Sequence, residues 1–242
     1  EAAQSGITSL GTLTGLTVNG NVSIDGGTIK LDGNYPTGTN NVALGNTALD
    51  SGSLSGGCNT AIGNASLTAN TSGTQNIGIG HLALTANTEG IRNIAIGANS
   101  ADANTTGGCN VAVGQSSLGA NTSGCCNVAI GGSALGNSTT ASNNTAVGKS
   151  SLETNTTGAN NVAVGYLSLD ANTTGGSNVA MGRGSLGANT TPSNNTAIGD
   201  LSMVANTTGD DNTAIGSGSL DANTTGSKNT AVGHLSLSSN TE

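Results

Sequence analysis

The pentapeptide pattern NxAxG returns twelve times, beginning at Asn41, Asn59, Asn76, Asn93, Asn110, Asn127, Asn144, Asn161, Asn178, Asn195, Asn212 and Asn229. One interval of 18 residues is followed by intervals of 17 without exception. A unit this short cannot bury a core of its own, so a constant short period implies units stacked on their neighbours as a solenoid. The fold expected is all-β: a parallel β-roll or β-solenoid of twelve 17-residue coils over residues 41–242. At about 4.8 Å per coil, such a stack makes a rod roughly 55–60 Å long.

Counted from each Asn, the fourth following residue is Gly in all twelve copies and the second is Ala in eleven, with Gly78 the exception. The first and third are Val, Thr, Ile, Leu or Met. This alternation of large and tiny side chains is that of a short strand with two different surroundings, and the larger face is expected to line the coil interior. Eight residues after the Asn comes Leu in ten copies, replaced by Ala101 and Met203, and a second short strand is expected to carry it. An Asn-Thr pair follows in ten copies, as in NTTG, where Asn, Thr and Gly suit a tight corner. Stacking turns the Asn and Thr columns into ladders of side-chain hydrogen bonds.

Composition then narrows the function. The chain has no Trp or Phe, and its aromatic residues are Tyr35 and Tyr166. With only about three sizeable apolar side chains per coil to bury, a lone chain is short of hydrophobic stabilisation. The Ala/Gly face, which another sheet could approach closely, is expected to meet further copies of the chain in a homo-oligomer. A net charge of -8 from 18 charged residues provides neither a basic stripe for nucleic acid nor a polybasic segment for a membrane. There is no apolar run long enough to span a bilayer. The chain begins with Glu and ends at Glu242 inside a repeat, as expected of a piece of something longer.

The segments NVAIGGSAL (127–135), NTAVGKSSL (144–152) and NTAIGSGSL (212–220) resemble the head repeats of trimeric autotransporter adhesins and repeats in bacteriophage tail fibres. The resemblance covers residues 41–242 and implies a left-handed β-roll in which three chains share an axis. It also implies display on a virion or cell surface, with partners among host-surface glycans or proteins and other fibre or baseplate proteins. The period here is longer than in the adhesin heads, and the NTTG corner is different. Residues 1–40, with apolar pairs Leu16/Val18, Val22/Ile24 and Ile29/Leu31 broken by NGN and DGG turns, resemble phage fibre shaft segments, and a trimeric shaft is expected there. The function expected is a non-enzymatic structural fibre without a cofactor, serving as spacer and attachment surface. A bacterial adhesin head and an ice-binding solenoid are the alternatives.

The free letters of the repeat are where recognition would be carried. The fifth column after the Asn includes His81, Gln115, Lys149, Tyr166, Arg183, Asp200 and His234, a variety that no packing role would permit but that plain solvent exposure also allows. Tyr166 and Arg183, one coil apart, are the candidate contact patch. His81 and His234 share this column nine coils apart and cannot share a metal. GRGSLG at 182–187 matches a dinucleotide-binding pattern, but it lies within a repeat and lacks the βαβ setting. Cys109 and Cys126 fall in one column of adjacent coils, within reach of a disulfide, with free thiols as the default. Asn70, Asn104, Asn121, Asn155, Asn172, Asn189, Asn206 and Asn223 head glycosylation acceptor triplets, although Asn87 and Asn240 keep the Asn-Thr pair without the acceptor, as a purely structural turn would.

Overall fold

The computed structural model describes residues 38–241, together with Asn19. The shaft expected over residues 1–40 therefore lies almost wholly outside the described residues. From Asn41 onward the chain is a parallel β-solenoid with one three-residue strand per coil, from Val42–Leu44 in the first to Thr230–Val232 in the twelfth. The strands form one twelve-stranded parallel sheet in chain order. Register is strict: Val162, Ala163 and Val164 of the eighth coil pair with Val179, Ala180 and Met181 of the ninth. Among the described residues there is no helix.

The strands face the opposite way from the expectation. The central Ala is fully buried in nearly every coil, while its two neighbours point outward and are half-buried or exposed, as Ile130 and Met181 are at 40%. The reason is interior volume. At Gly78, the one exception in the Ala column, an added Cβ would lie 2.6 Å from Ser66 Oγ and 3.4 Å from Leu67 Cγ. The space opposite the strand is already filled by those two columns, so at most a methyl group fits. The Ala face is thus the inside of the coil, and it is not available to another chain.

The second strand expected around the Leu column is absent as well. That segment is a run of turns in which Leu169 has φ 51 and Leu167 φ 55. A left-handed backbone costs an L-residue roughly 1–2 kcal/mol. Full burial of a leucine side chain returns about 1.5–3 kcal/mol, and Leu169 N–H also donates to Ser185 O at 3.0 Å. The position is therefore tenable for leucine, whereas a β-branched residue would add steric conflict. The column contains only Leu, Ala and Met.

Much of the interior is polar and organised by two ladders of buried asparagines. In the first, each Asn Oδ1 accepts the backbone N–H of the Asn one coil on, as Asn144 does from Asn161 at 2.9 Å. The same Asn144 donates Nδ2 to Gly158 O at 2.9 Å, tying the start of the coil to its closing corner. This ladder runs unbroken from Asn41 to Asn229. The second ladder belongs to the NTTG corner: Asn172 Nδ2 donates to Asn155 Oδ1 at 2.8 Å and to Gly175 O at 3.0 Å. Corner threonines add a third line of bonds, with Thr156 Oγ1 donating to Thr173 O at 2.9 Å.

The second ladder breaks where Ser138 replaces Asn. Asn121 Oδ1 and Ser138 Oγ are then both buried without a hydrogen-bond partner. Ala141 replaces the corner Gly of the same coil. In this column an added Cβ at Gly124 or Gly158 would sit 2.5 Å from the ladder oxygen of its own coil, Asn121 or Asn155. A Cβ in this column does not by itself exclude the asparagine, since Pro192 stands in the coil of Asn189, which still donates to Asn172 Oδ1 and to Pro192 O at 3.2 Å. A buried polar atom without a partner costs about 1–3 kcal/mol. Ser138→Asn should accordingly raise stability by about 1–3 kcal/mol by restoring a donor to Asn121 Oδ1. Thermal unfolding followed by circular dichroism checks this, and an unchanged or lower melting temperature would contradict it.

Candidate functional site

Each strand ends at the invariant Gly, which turns the chain out of the sheet. Gly165 has φ 140, and an added Cβ would lie 2.5 Å from Gly182 O, so only glycine allows the coils to close up here. The next residue is directed away from the interior. This places His81, Gln115, Lys149, Tyr166, Arg183 and His234 as exposed side chains in one column, with Asp200 half-exposed beside them.

Strict stacking decides which of them meet. Tyr166, Arg183 and Asp200 occupy the eighth, ninth and tenth coils, and Arg183 Nη2 donates to Asp200 Oδ2 at 2.9 Å. At this exposure the pair is worth about 1 kcal/mol at most and serves to orient more than to stabilise. His234 Nδ1 lies 3.1 Å from Ser217 O. His81 and Gln115 stand in the third and fifth coils, away from this group, while Lys149 is in the seventh coil, next to Tyr166.

Beside Tyr166 and Arg183 the surface is notched by a groove of about 370 Å3. Its floor is the backbone of Gly184 and Gly187 in the ninth coil, and its walls come from Tyr166, Leu167 and Asp170 on one side and Leu201 and Val204 on the other. The groove arises from missing side chains. The sixth column after the Asn is Leu167, Gly184 and Leu201 in successive coils, and the ninth is Asp170, Gly187 and Val204. The ninth coil alone has glycine in both columns: Gly218 is followed by Asp221, while Gly119 and Gly136 follow Ser116 and Ser133. The two glycines are those of GRGSLG, so the motif marks a surface notch. Sequence reasoning singled out Tyr166 and Arg183 but missed Gly184, Gly187 and Asp170, which a comparison of glycines across columns could have found.

The remaining candidates fall elsewhere. All eight acceptor asparagines, Asn70, Asn104, Asn121, Asn155, Asn172, Asn189, Asn206 and Asn223, are buried to within 1%. Their Nδ2 groups donate to the corner carbonyl, as Asn155 does to Gly158 O at 3.0 Å. A glycan on any of these nitrogens is incompatible with the coil, so the corner asparagines are structural. Cys109 and Cys126 are exposed free thiols at φ 59 and 60, without a bridge between them. Among the described residues no group of three or more His, Cys, Asp or Glu is placed to hold a metal ion. No helix there is long and apolar enough to cross a membrane.

No family model matches the chain, and neither curated proteins nor solved structures yield a match.

Burial pushes the Asp170 carboxyl above the ordinary aspartate range, against the lowering effect of backbone N–H donors at Asp170 and Ala171, and Glu153 one coil earlier adds repulsion. Asp102, in the same column, is raised by burial. A carboxyl that holds its proton more tightly when folded makes the folded state bind more protons than the unfolded chain. These two groups therefore add stability as pH falls from neutral through their raised folded values, and that contribution is lost as pH rises. Asp170→Asn should raise the melting temperature at pH 7 and narrow the gap between neutral and mildly acidic conditions. Melting curves of both proteins across that range provide the check, and a lower melting temperature for the variant at pH 7 would contradict it.

Proposed function

We propose that this chain is a segment of an extracellular or virion-surface fibre, a non-enzymatic rod that assembles as a homotrimer and acts as spacer and attachment surface. The observation that carries the reading is the outward face of the sheet. One column of apolar side chains, among them Ile62, Ile96, Ile130, Met181, Ile198 and Ile215 at 36–40% exposure, runs along the rod beside a second outward column of Val, Ile and Thr. The stripe is roughly 50 Å long at the spacing of stacked strands. Soluble monomers rarely leave so continuous an apolar surface in water.

The contact face is thus the one that sequence reasoning had turned inward. Burying it against further copies supplies the hydrophobic contacts that the thin coil interior lacks. Such a stripe would serve two chains as well as three, and the number three rests on the resemblance of the NxAxG repeats to trimeric fibre proteins. The recognition column lies past the glycine turn, off this face, and stays accessible in such an assembly.

An ice-binding role has one observation in its favour. Five coils present Thr-x-Ile or Thr-x-Val outward, at Thr60, Thr145, Thr196, Thr213 and Thr230, on a parallel sheet in strict register. The corner threonines do not contribute, because hydroxyls such as that of Thr173 are already donated to the next coil.

Light scattering on the reduced protein should give a mass of three chains of 23.0 kDa. The triple variant Ile130→Glu/Val147→Glu/Val164→Glu should dissociate to monomers while keeping the coil's circular dichroism spectrum, since all three side chains point outward. A folded wild-type monomer would sink the trimer and move the ice-binding reading ahead, with thermal hysteresis as its direct assay.

A further inference from the structure

We infer that the groove of the ninth coil binds a neutral pyranose unit of a glycan, one face of the sugar against Tyr166 and the aliphatic walls, its hydroxyls met by Asp170 and Arg183. This rests on the attachment reading above and assigns it a place and a ligand chemistry.

The lining argues for an amphipathic ring. A pyranose has an apolar face of C–H groups and a rim of hydroxyls, and the groove offers the complementary arrangement. Leu167, Leu201, Val204 and the ring of Tyr166 provide apolar surface, while polar groups enter at Asp170 and Arg183. Tyr166 is the only aromatic side chain among the described residues, and it is half exposed at this groove. The volume of about 370 Å3 is at the small end of the range of roughly 300–1,000 Å3 for small-ligand sites. The groove opens to solvent along one side, as the end or branch of a longer saccharide requires.

Other ligand classes fit the same lining less well. A wholly apolar ligand would strip water from Asp170 and Arg183 and give them no partner in return, which is costly. An anion would find the guanidinium already engaged by Asp200 at 2.9 Å and a second carboxylate, Asp170, in the wall. A cation would have to sit beside Arg183 with a single aromatic ring to attract it. A neutral polyol can accept from the guanidinium and donate to the carboxylate without disturbing the ion pair.

Saturation-transfer NMR on the whole chain provides the test, with methyl pyranosides of gluco, galacto and manno configuration as probes and choline as the cationic control. Transfer to the ring protons of at least one pyranoside is expected, with affinity reduced about tenfold or more in Tyr166→Ala. Gly184→Leu should abolish it by refilling the notch. The flanking Leu167 and Leu201 already adopt φ 55 and 53 in that column, and the added Cβ would meet only the flexible end of Leu201, at 2.9 Å. Gly187→Asp, which inserts the residue that Asp102, Asp170 and Asp221 place in the same column, should act alike and guards against a folding defect in the first variant. The inference is overturned by an absence of transfer to every pyranoside, by transfer to choline alone, or by transfer that survives both refilled variants. A Gly184→Leu rod that still attaches to cells as the parent does would remove the groove's role and leave the fibre reading standing. A monomeric mass would strike that reading and not the groove.

Discussion

Everything in this molecule depends on a buried amide that bonds in three directions. Each Asn at the head of a coil accepts at Oδ1 from the Asn one coil on, donates Nδ2 across its own coil, and accepts at its backbone carbonyl from the strand one coil back, as Asn144 does with Asn161 N–H, Gly158 O and Val128 N–H. A chain with almost no aromatic side chains cannot close a 17-residue loop by hydrophobic burial alone. Its corner backbone groups lie inside the coil, where an unpaired carbonyl is expensive. The amide satisfies them and fixes the cross-section in the same act. The solenoid is therefore held together largely by polar groups that are fully satisfied, with leucine and alanine filling what remains.

That economy explains why the repeat is so uneven in its tolerance. Positions that touch the interior accept few residue types, because a methyl group too many at the Ala column meets Ser and Leu. Positions at left-handed backbone angles follow a subtler rule. The residue before each ladder Asn, at φ near 60, is Asn, Cys, Gln, Arg, Ser, Asp or Lys, never a β-branched one. What looks like free variation there is filtered by backbone sterics. The column after the glycine turn, with Tyr166, Arg183 and His234 among its members, is free of both constraints.

Periodicity made the solenoid, the strand at NxAxG, the Asn columns and the outward column readable from the sequence, but it also suggested a second strand around the Leu column, where the chain instead makes turns. The direction of the strand was not readable, since alternation of large and small residues is the same pattern viewed from either side. Hydrophobic size suggested that Val and Ile belong inside, and the opposite holds because Leu67 and its equivalents, in a turn that leucine does not announce, had already taken the space. The buried state of Asn155 was hidden for a similar reason, as an Asn-Thr-Thr triplet reads as surface when the second ladder is out of view. The groove escaped because it is made of absences: Gly184 and Gly187 are ordinary residues singly, and only their coincidence in one coil leaves a hollow.

Strict register also sets how such a rod can change over generations. Copying or deleting one 17-residue unit leaves every ladder bond, strand pairing and leucine contact intact, and alters the length by about 4.8 Å. Length is thus a heritable quantity that varies in whole steps at little structural risk. The hollow beside Tyr166 has no such freedom, because it needs three particular coils in immediate succession. A unit inserted among them would lengthen the rod harmlessly and erase the hollow, so recombination within the array can change length and surface relief in a single event.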